Sequence, residues 1–127
     1  MSAADALRLS LVVIHFGGLA AIVGPFLAQV TRAEGFRVTA MLAGSVVQVL
    51  SGVALVAVRR AEDLPLDGTK IALKLLIAVA VVALALITVL RQRALTRRGG
   101  SDRGLRPLFF AVGIAAIANI VIAVFWT

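Results

Sequence analysis

Apolar residues in this chain do not alternate with polar ones. They run on in four blocks, Leu7–Gln29, Val38–Val58, Ile71–Leu90 and Leu108–Trp126. Each block is close to the ~20 residues a helix needs to cross a ~30 Å hydrocarbon core. The pattern predicts an all-α polytopic membrane protein: one domain over residues 1–127, folded as an up-down bundle of four transmembrane helices. The connections are too short to hold a soluble domain. The first block lies near the N-terminus, as a signal peptide would. Its length, the Gly24-Pro25 near its end and the lack of a clear small-x-small cleavage site favour a retained helix.

Local signals place the boundaries. Asp67-Gly68 reads as a turn, with Thr69 positioned to cap the third helix. That helix is expected to continue as an arginine-rich extension and stop at Gly99-Gly100. Arg106-Pro107 opens the fourth helix, where a missing N–H costs nothing. Pro25 leaves the Ala21 carbonyl without its helical donor and is expected to kink the first helix. Trp126 sits where an interfacial aromatic anchor is expected.

Composition agrees with the pattern: 61% of residues are hydrophobic and the mean hydropathy is +1.07, well outside the soluble range. The absence of cysteine excludes disulfides, thiolate metal sites and thiol redox chemistry. A net charge of +7 could suggest nucleic acid, but the basic residues flank apolar spans, so they are read as setting orientation and nucleic acid is not expected as a partner. Thr31–Arg37 and Arg91–Arg106 carry Arg32, Arg37, Arg91, Arg93, Arg97, Arg98, Arg103 and Arg106, against Arg8, Arg59, Arg60 and Lys70 on the other side. This bias expects both termini outside the cell inner (plasma) membrane, with the arginine-rich third loop in the cytoplasm touching anionic lipid.

The candidate chemistry follows from depth. At 1.5 Å per residue, His15 lies roughly 12 Å, Gln48 and Ser51 roughly 10–15 Å, Lys74 roughly 5–8 Å and Asn119 roughly 10 Å from the outer ends of their helices. All four helices thus place a polar side chain in the outer half of the bilayer, and an ionisable group at such depth marks a functional site by default. Helical wheels put Met41, Gly44, Ser45, Gln48, Ser51 and Gly52 on one side of the second helix. Lys70, Lys74, Val81, Ala85, Thr88 and Gln92 share a side of the third, and Ala115, Ala116, Asn119 and Ala123 one of the fourth. On the first helix, Gly17, Ala20, Ala21, Gly24 and Ala28 form a small-residue ridge almost opposite His15. If His15 faces the pocket, the ridge is an interface for a second subunit; if the ridge faces inward, His15 meets lipid or a partner. Either way a homo-oligomer or a partner membrane subunit is expected beside the lipid bilayer.

Two accounts of each polar residue stand side by side. His15 is either a helix-to-helix hydrogen-bonding group or a ligand to a cofactor metal, and as the only histidine it cannot complete a tight metal site within one chain. Lys74 either snorkels to the headgroups or attracts an anionic group. Gln48, Ser51 and Asn119 are either interhelical glue or pocket lining. No phosphate-binding glycine loop, HExxH, CxxCH, hydrolase triad or intramembrane carboxylate is present, so no reaction is assigned.

His15-Phe16-Gly17-Gly18, Ser51-Gly52 and Lys74 within Ala-Leu-Lys-Leu-Leu resemble the HemJ/CopD-like four-helix membrane proteins over the first three helices. The resemblance implies haem-associated or copper-related function, with His15 matching the family's first-helix histidine and Lys74 its helix-three lysine. On it, a b-type haem with His15 as axial ligand is the most specific cofactor expectation. The leading expectation is therefore an outer-leaflet pocket of His15, Gln48, Ser51, Lys74 and Asn119 that binds a cofactor or small anionic ligand. The alternatives are a non-catalytic accessory subunit of a larger membrane complex and, last, a dimeric channel or carrier, for which the cytoplasmic half offers only Ser45, Thr88 and the Gly24-Pro25 break.

Overall fold

A computed structural model describes residues 1–125; Trp126 lies outside them. The chain is an all-α bundle of four helices, each long and apolar enough to cross a membrane: α1 (Ala3–Gln29), α2 (Thr39–Ala61), α3 (Gly68–Arg97) and α4 (Arg106–Phe125). A single 3₁₀ turn, Arg103–Leu105, leads into α4. Helices adjacent in sequence pack side by side, and α1 meets α4 to close the bundle. Large apolar side chains such as Val13, Phe16, Leu50 and Leu76 point outward and are mostly exposed, as a multi-pass protein surrounded by lipid tails requires.

Capping explains where the helices depart from the apolar blocks. Helix α1 begins at Ala3 rather than Leu7 because Ser2 and Asp5 form a reciprocal box. Ser2 Oγ accepts from the Asp5 N–H at 3.1 Å, and the Asp5 carboxylate accepts from the Ser2 N–H at 3.3 Å. Helix α3 begins at Gly68, not Ile71, and its cap is Asp67 rather than Thr69. The extended Asp67 backbone lets its carboxylate accept from the Lys70 N–H at 3.1 Å, leaving Thr69 inside the first turn. The expected stop near Gly99-Gly100 is a Schellman motif. Gly99 is left-handed (φ +71°), and Gly100 donates to the Leu95 carbonyl at 2.8 Å. Helix α2 ends the same way with Asp63 in the left-handed position (φ 53°) and Leu64 donating to the Arg59 carbonyl at 2.9 Å.

Two close approaches set the bundle. Gly18 and Gly44 let α1 and α2 touch backbone to backbone: a methyl at Gly44 would stand 2.7 Å from the Gly18 carbonyl oxygen and 2.8 Å from Ala21 Cβ. On the other side of α1, the Phe26 ring fills the space a side chain at Gly113 of α4 would need. Around Phe26 the core of the arginine-rich half is dry and aromatic. Phe36 stacks on Phe109 at 4.6 Å, Phe26 tilts against Phe109 at 5.2 Å, and Met41, Val89 and Val112 complete the packing.

The same end is tied by a polar knot. The buried Gln29 side chain donates to the Pro25 and Arg37 carbonyls at 2.9 and 3.1 Å and accepts from the Arg37 N–H. The buried Asp102 carboxylate accepts from the N–H groups of Gly35 (2.7 Å) and Phe36 (2.9 Å) and from Gln92 Nε2 (2.8 Å). Gln92 also donates to the Phe36 carbonyl. One carboxylate thus joins the α1–α2 loop, the end of α3 and the α3–α4 loop. Burial alone would raise the Asp102 pKa, but the Gly35, Gln92 and Phe36 donors outweigh it and hold the carboxyl below its ordinary value.

Candidate functional site

The polar side chains in the terminus-bearing half of the bundle divide into a bonded trio and a cavity. The trio joins α1 to α2: His15 Nδ1 lies 2.8 Å from Ser51 Oγ, and His15 Nε2 lies 3.3 Å from Gln48 Nε2. Helical spacing brings these together, because Gln48 and Ser51 are three residues apart on one face of α2. The close α1–α2 seam at Gly18 and Gly44 then brings the imidazole within reach. Gly52 completes the niche, since a methyl there would stand 3.5 Å from His15 Cε1, an ordinary contact.

The Ser51 hydroxyl couples the proton positions of the trio. Its one hydrogen goes to the Val47 carbonyl at 2.7 Å, shared with the Gln48 carbonyl at 3.2 Å. With the Ser51 hydrogen on the Val47 carbonyl, Ser51 accepts from His15 Nδ1–H and Nε2 takes the Gln48 N–H; with that hydrogen turned to Nδ1 instead, the ring hydrogen sits on Nε2 and the Gln48 amide is reversed.

Behind the trio, Leu19, Ile22, Ser45, Gln48, Ala78, Val81, Ala116 and Asn119, drawn from all four helices, line a partly open cavity of about 10 Å³. That is room for about one water molecule. Gln48 Oε1 and Asn119 Oδ1 are both buried and lack a hydrogen-bond partner. An unpaired buried carbonyl costs roughly 1–3 kcal/mol unless a donor such as a water molecule reaches it.

Lys74 stands one helical turn before Ala78, half-buried. Thus His15, Gln48 and Ser51 bond directly, Asn119 joins Gln48 at the cavity, and Lys74 flanks them without a hydrogen bond among the described residues. Ser45 and Gly52 share the Gln48 face of the α2 wheel. That signal places them beside the site, although the expected pocket does not include them.

The small-residue ridge on α1 divides. Ala21 packs against Gly44 inside the bundle, whereas Gly17, Ala20, Gly24 and Ala28 are exposed, with open space around the Gly17 and Gly24 α-carbons. Gly18, not a ridge residue, is the buried small position.

Both imidazole nitrogens are engaged within the chain, so an axial haem ligand at His15 would require the ring to leave Ser51 or Gln48, and the space beside them has room for about one water. The described residues include no cluster of three or more His, Cys, Asp or Glu that could hold a metal ion. No family model, curated protein or solved structure matches the chain.

Proposed function

We propose that the chain is a small integral inner-membrane protein with a one-sided polar pocket in the bilayer half nearer its termini, binding a small anionic ligand that also carries an N–H or O–H donor. The observation that carries this reading is the pair of unpartnered buried oxygens, Gln48 Oε1 and Asn119 Oδ1, on two residues that line one cavity. They call for a donor, and Lys74 supplies the nearby charge that favours an anion. The aromatic packing of Phe26, Phe36 and Phe109 fills the core of the other half, which favours binding over passage.

Titrating the purified full chain in mild detergent with bicarbonate, an anion that carries an O–H, and separately with haemin, tests the reading. A saturable rise in thermal midpoint that Lys74→Met abolishes supports it. A Soret band lost in His15→Ala identifies haem as the occupant, in a layer that has opened to admit it. No saturable response to either probe overturns ligand binding.

A second reading, a subunit of a larger membrane assembly, is favoured by the exposed Gly17, Ala20, Gly24 and Ala28 face, where another helix could approach closely. Mass measurement of the detergent-solubilised protein at several protein-to-detergent ratios tests it, and a strict monomer at all ratios counts against a homo-oligomer.

A further inference from the structure

We propose that His15 and Gln48 form a protonation-driven amide switch, which sets whether the cavity presents hydrogen-bond acceptors or donors. The proposal concerns the regulation of the site described above and rests on its being a binding site.

In the resting state Ser51 gives its hydrogen to the Val47 carbonyl and accepts Nδ1–H from His15. A neutral imidazole then has no hydrogen on Nε2, so Gln48 must face it with Nε2–H. The Gln48 carbonyl is thereby turned away, buried and unpaired, at the cavity that Asn119 Oδ1 also leaves unpaired. In this state the cavity offers two acceptors and takes one small N–H or O–H donor.

Adding a proton to Nε2 sets two donors against each other at the His15–Gln48 contact. A half-turn of the Gln48 amide about its terminal torsion removes the conflict. Its oxygen then accepts from His15 Nε2–H, and its NH₂ points to the cavity and toward the Asn119 oxygen. Both orphaned carbonyls become paired, and the space for a donor ligand is taken by Gln48 itself. Proton uptake and donor binding therefore exclude each other. By linkage, apparent affinity for the donor falls about tenfold per pH unit below the His15 titration.

The groups facing His15 leave this exchange to Gln48. Helix α2 presents the neutral Ser45, Gln48 and Ser51, and α4 presents the neutral Asn119. Lys74 of α3 is the charged group that flanks the site and cannot accept a hydrogen bond. Arg8 pairs with both Asp5 and Glu62 at the bundle end.

The test uses the ¹⁵N-labelled full chain in detergent micelles without ligand. Because His15 is the only histidine, its ring signals are unambiguous. The expected result is the Nδ1–H tautomer at high pH, with the Gln48 and Asn119 side-chain amides shifting at the midpoint of the ring titration. In Gln48→Met the ring still titrates and the Asn119 amide stops following. An Nε2–H tautomer, amides that stay still while the ring titrates, or a ring that remains neutral down to acid unfolding each overturns the proposal. So does an Asn119 amide that still follows in Gln48→Met. Should that variant misfold, the wild-type tautomer and amide tracking decide. With no ligand present, failure here leaves the binding reading intact, whereas failure to bind the probes removes the regulatory role and leaves only the amide rotation that this experiment reads.

Discussion

The ring of Phe26 occupies the space in which a side chain at Gly113 would stand, locking α1 against α4. Gly113→Ala must displace that ring or the helix, so a loss of about 1–3 kcal/mol is expected. Gly24→Ala meets open space and gains helix propensity of up to about 1 kcal/mol. Reversible unfolding of the two variants in mixed micelles checks the contrast, and equal effects would show that the Phe26 contact does not set the α1–α4 approach.

Asp102 makes the arginine-rich end sensitive to acid. Its folded pKa lies below the ordinary value of 3.8, so the folded chain binds fewer protons there than the unfolded chain. The resulting stabilisation is complete well above pH 3.8 and is lost as the pH falls below it, through the lower folded value. Amide exchange at Gly35 and Phe36 should accelerate over that range in the wild type. In Asp102→Ala it should be fast at every pH, with a stability loss of about 1–3 kcal/mol from the unpaired N–H groups.

Asn119→Leu exchanges an unpaired buried carbonyl for apolar volume. Stability is expected to stay level or rise, because no hydrogen bond is lost, while the response to ligand disappears. A gain in stability with loss of binding is the pattern of a site held open for function. A marked loss of stability would instead show that Asn119 has a structural partner.

His15 and Ser51 form the principal polar tie between α1 and α2. Ser51→Ala leaves the imidazole Nδ1–H without its acceptor, and a cost of about 0.6–1.7 kcal/mol is expected from comparable interhelical bonds in membranes. The imidazole tautomer should also become mixed, which ring ¹⁵N shifts report directly.

Orientation can be read from a chain with no natural cysteine. With the arginine-rich loops in the cytoplasm, Ser2→Cys is expected to react with a membrane-impermeant maleimide added to whole cells, and Ser101→Cys only after the membrane is opened. The reverse labelling would invert the topology.

What the sequence determined by itself is what depends on one helix at a time. Length and apolarity set the number of spans, the 1.5 Å rise set the common depth of His15, Gln48, Ser51 and Asn119, and glycine placed the end of α3. Short polar side chains at the helix starts were only partly legible, because Ser2–Asp5 and Asp67 extend α1 and α3 past the apolar runs that mark them. Only the tertiary structure decided how each helix is turned about its axis. In a soluble protein the apolar stripe marks the inside; here lipid is as apolar as the core, so hydrophobicity cannot distinguish the two faces of α1. Steric fit settles the matter: Gly18 against Gly44 and Phe26 over Gly113 turn His15 toward Ser51 and Gln48, and leave Gly17, Ala20, Gly24 and Ala28 outside.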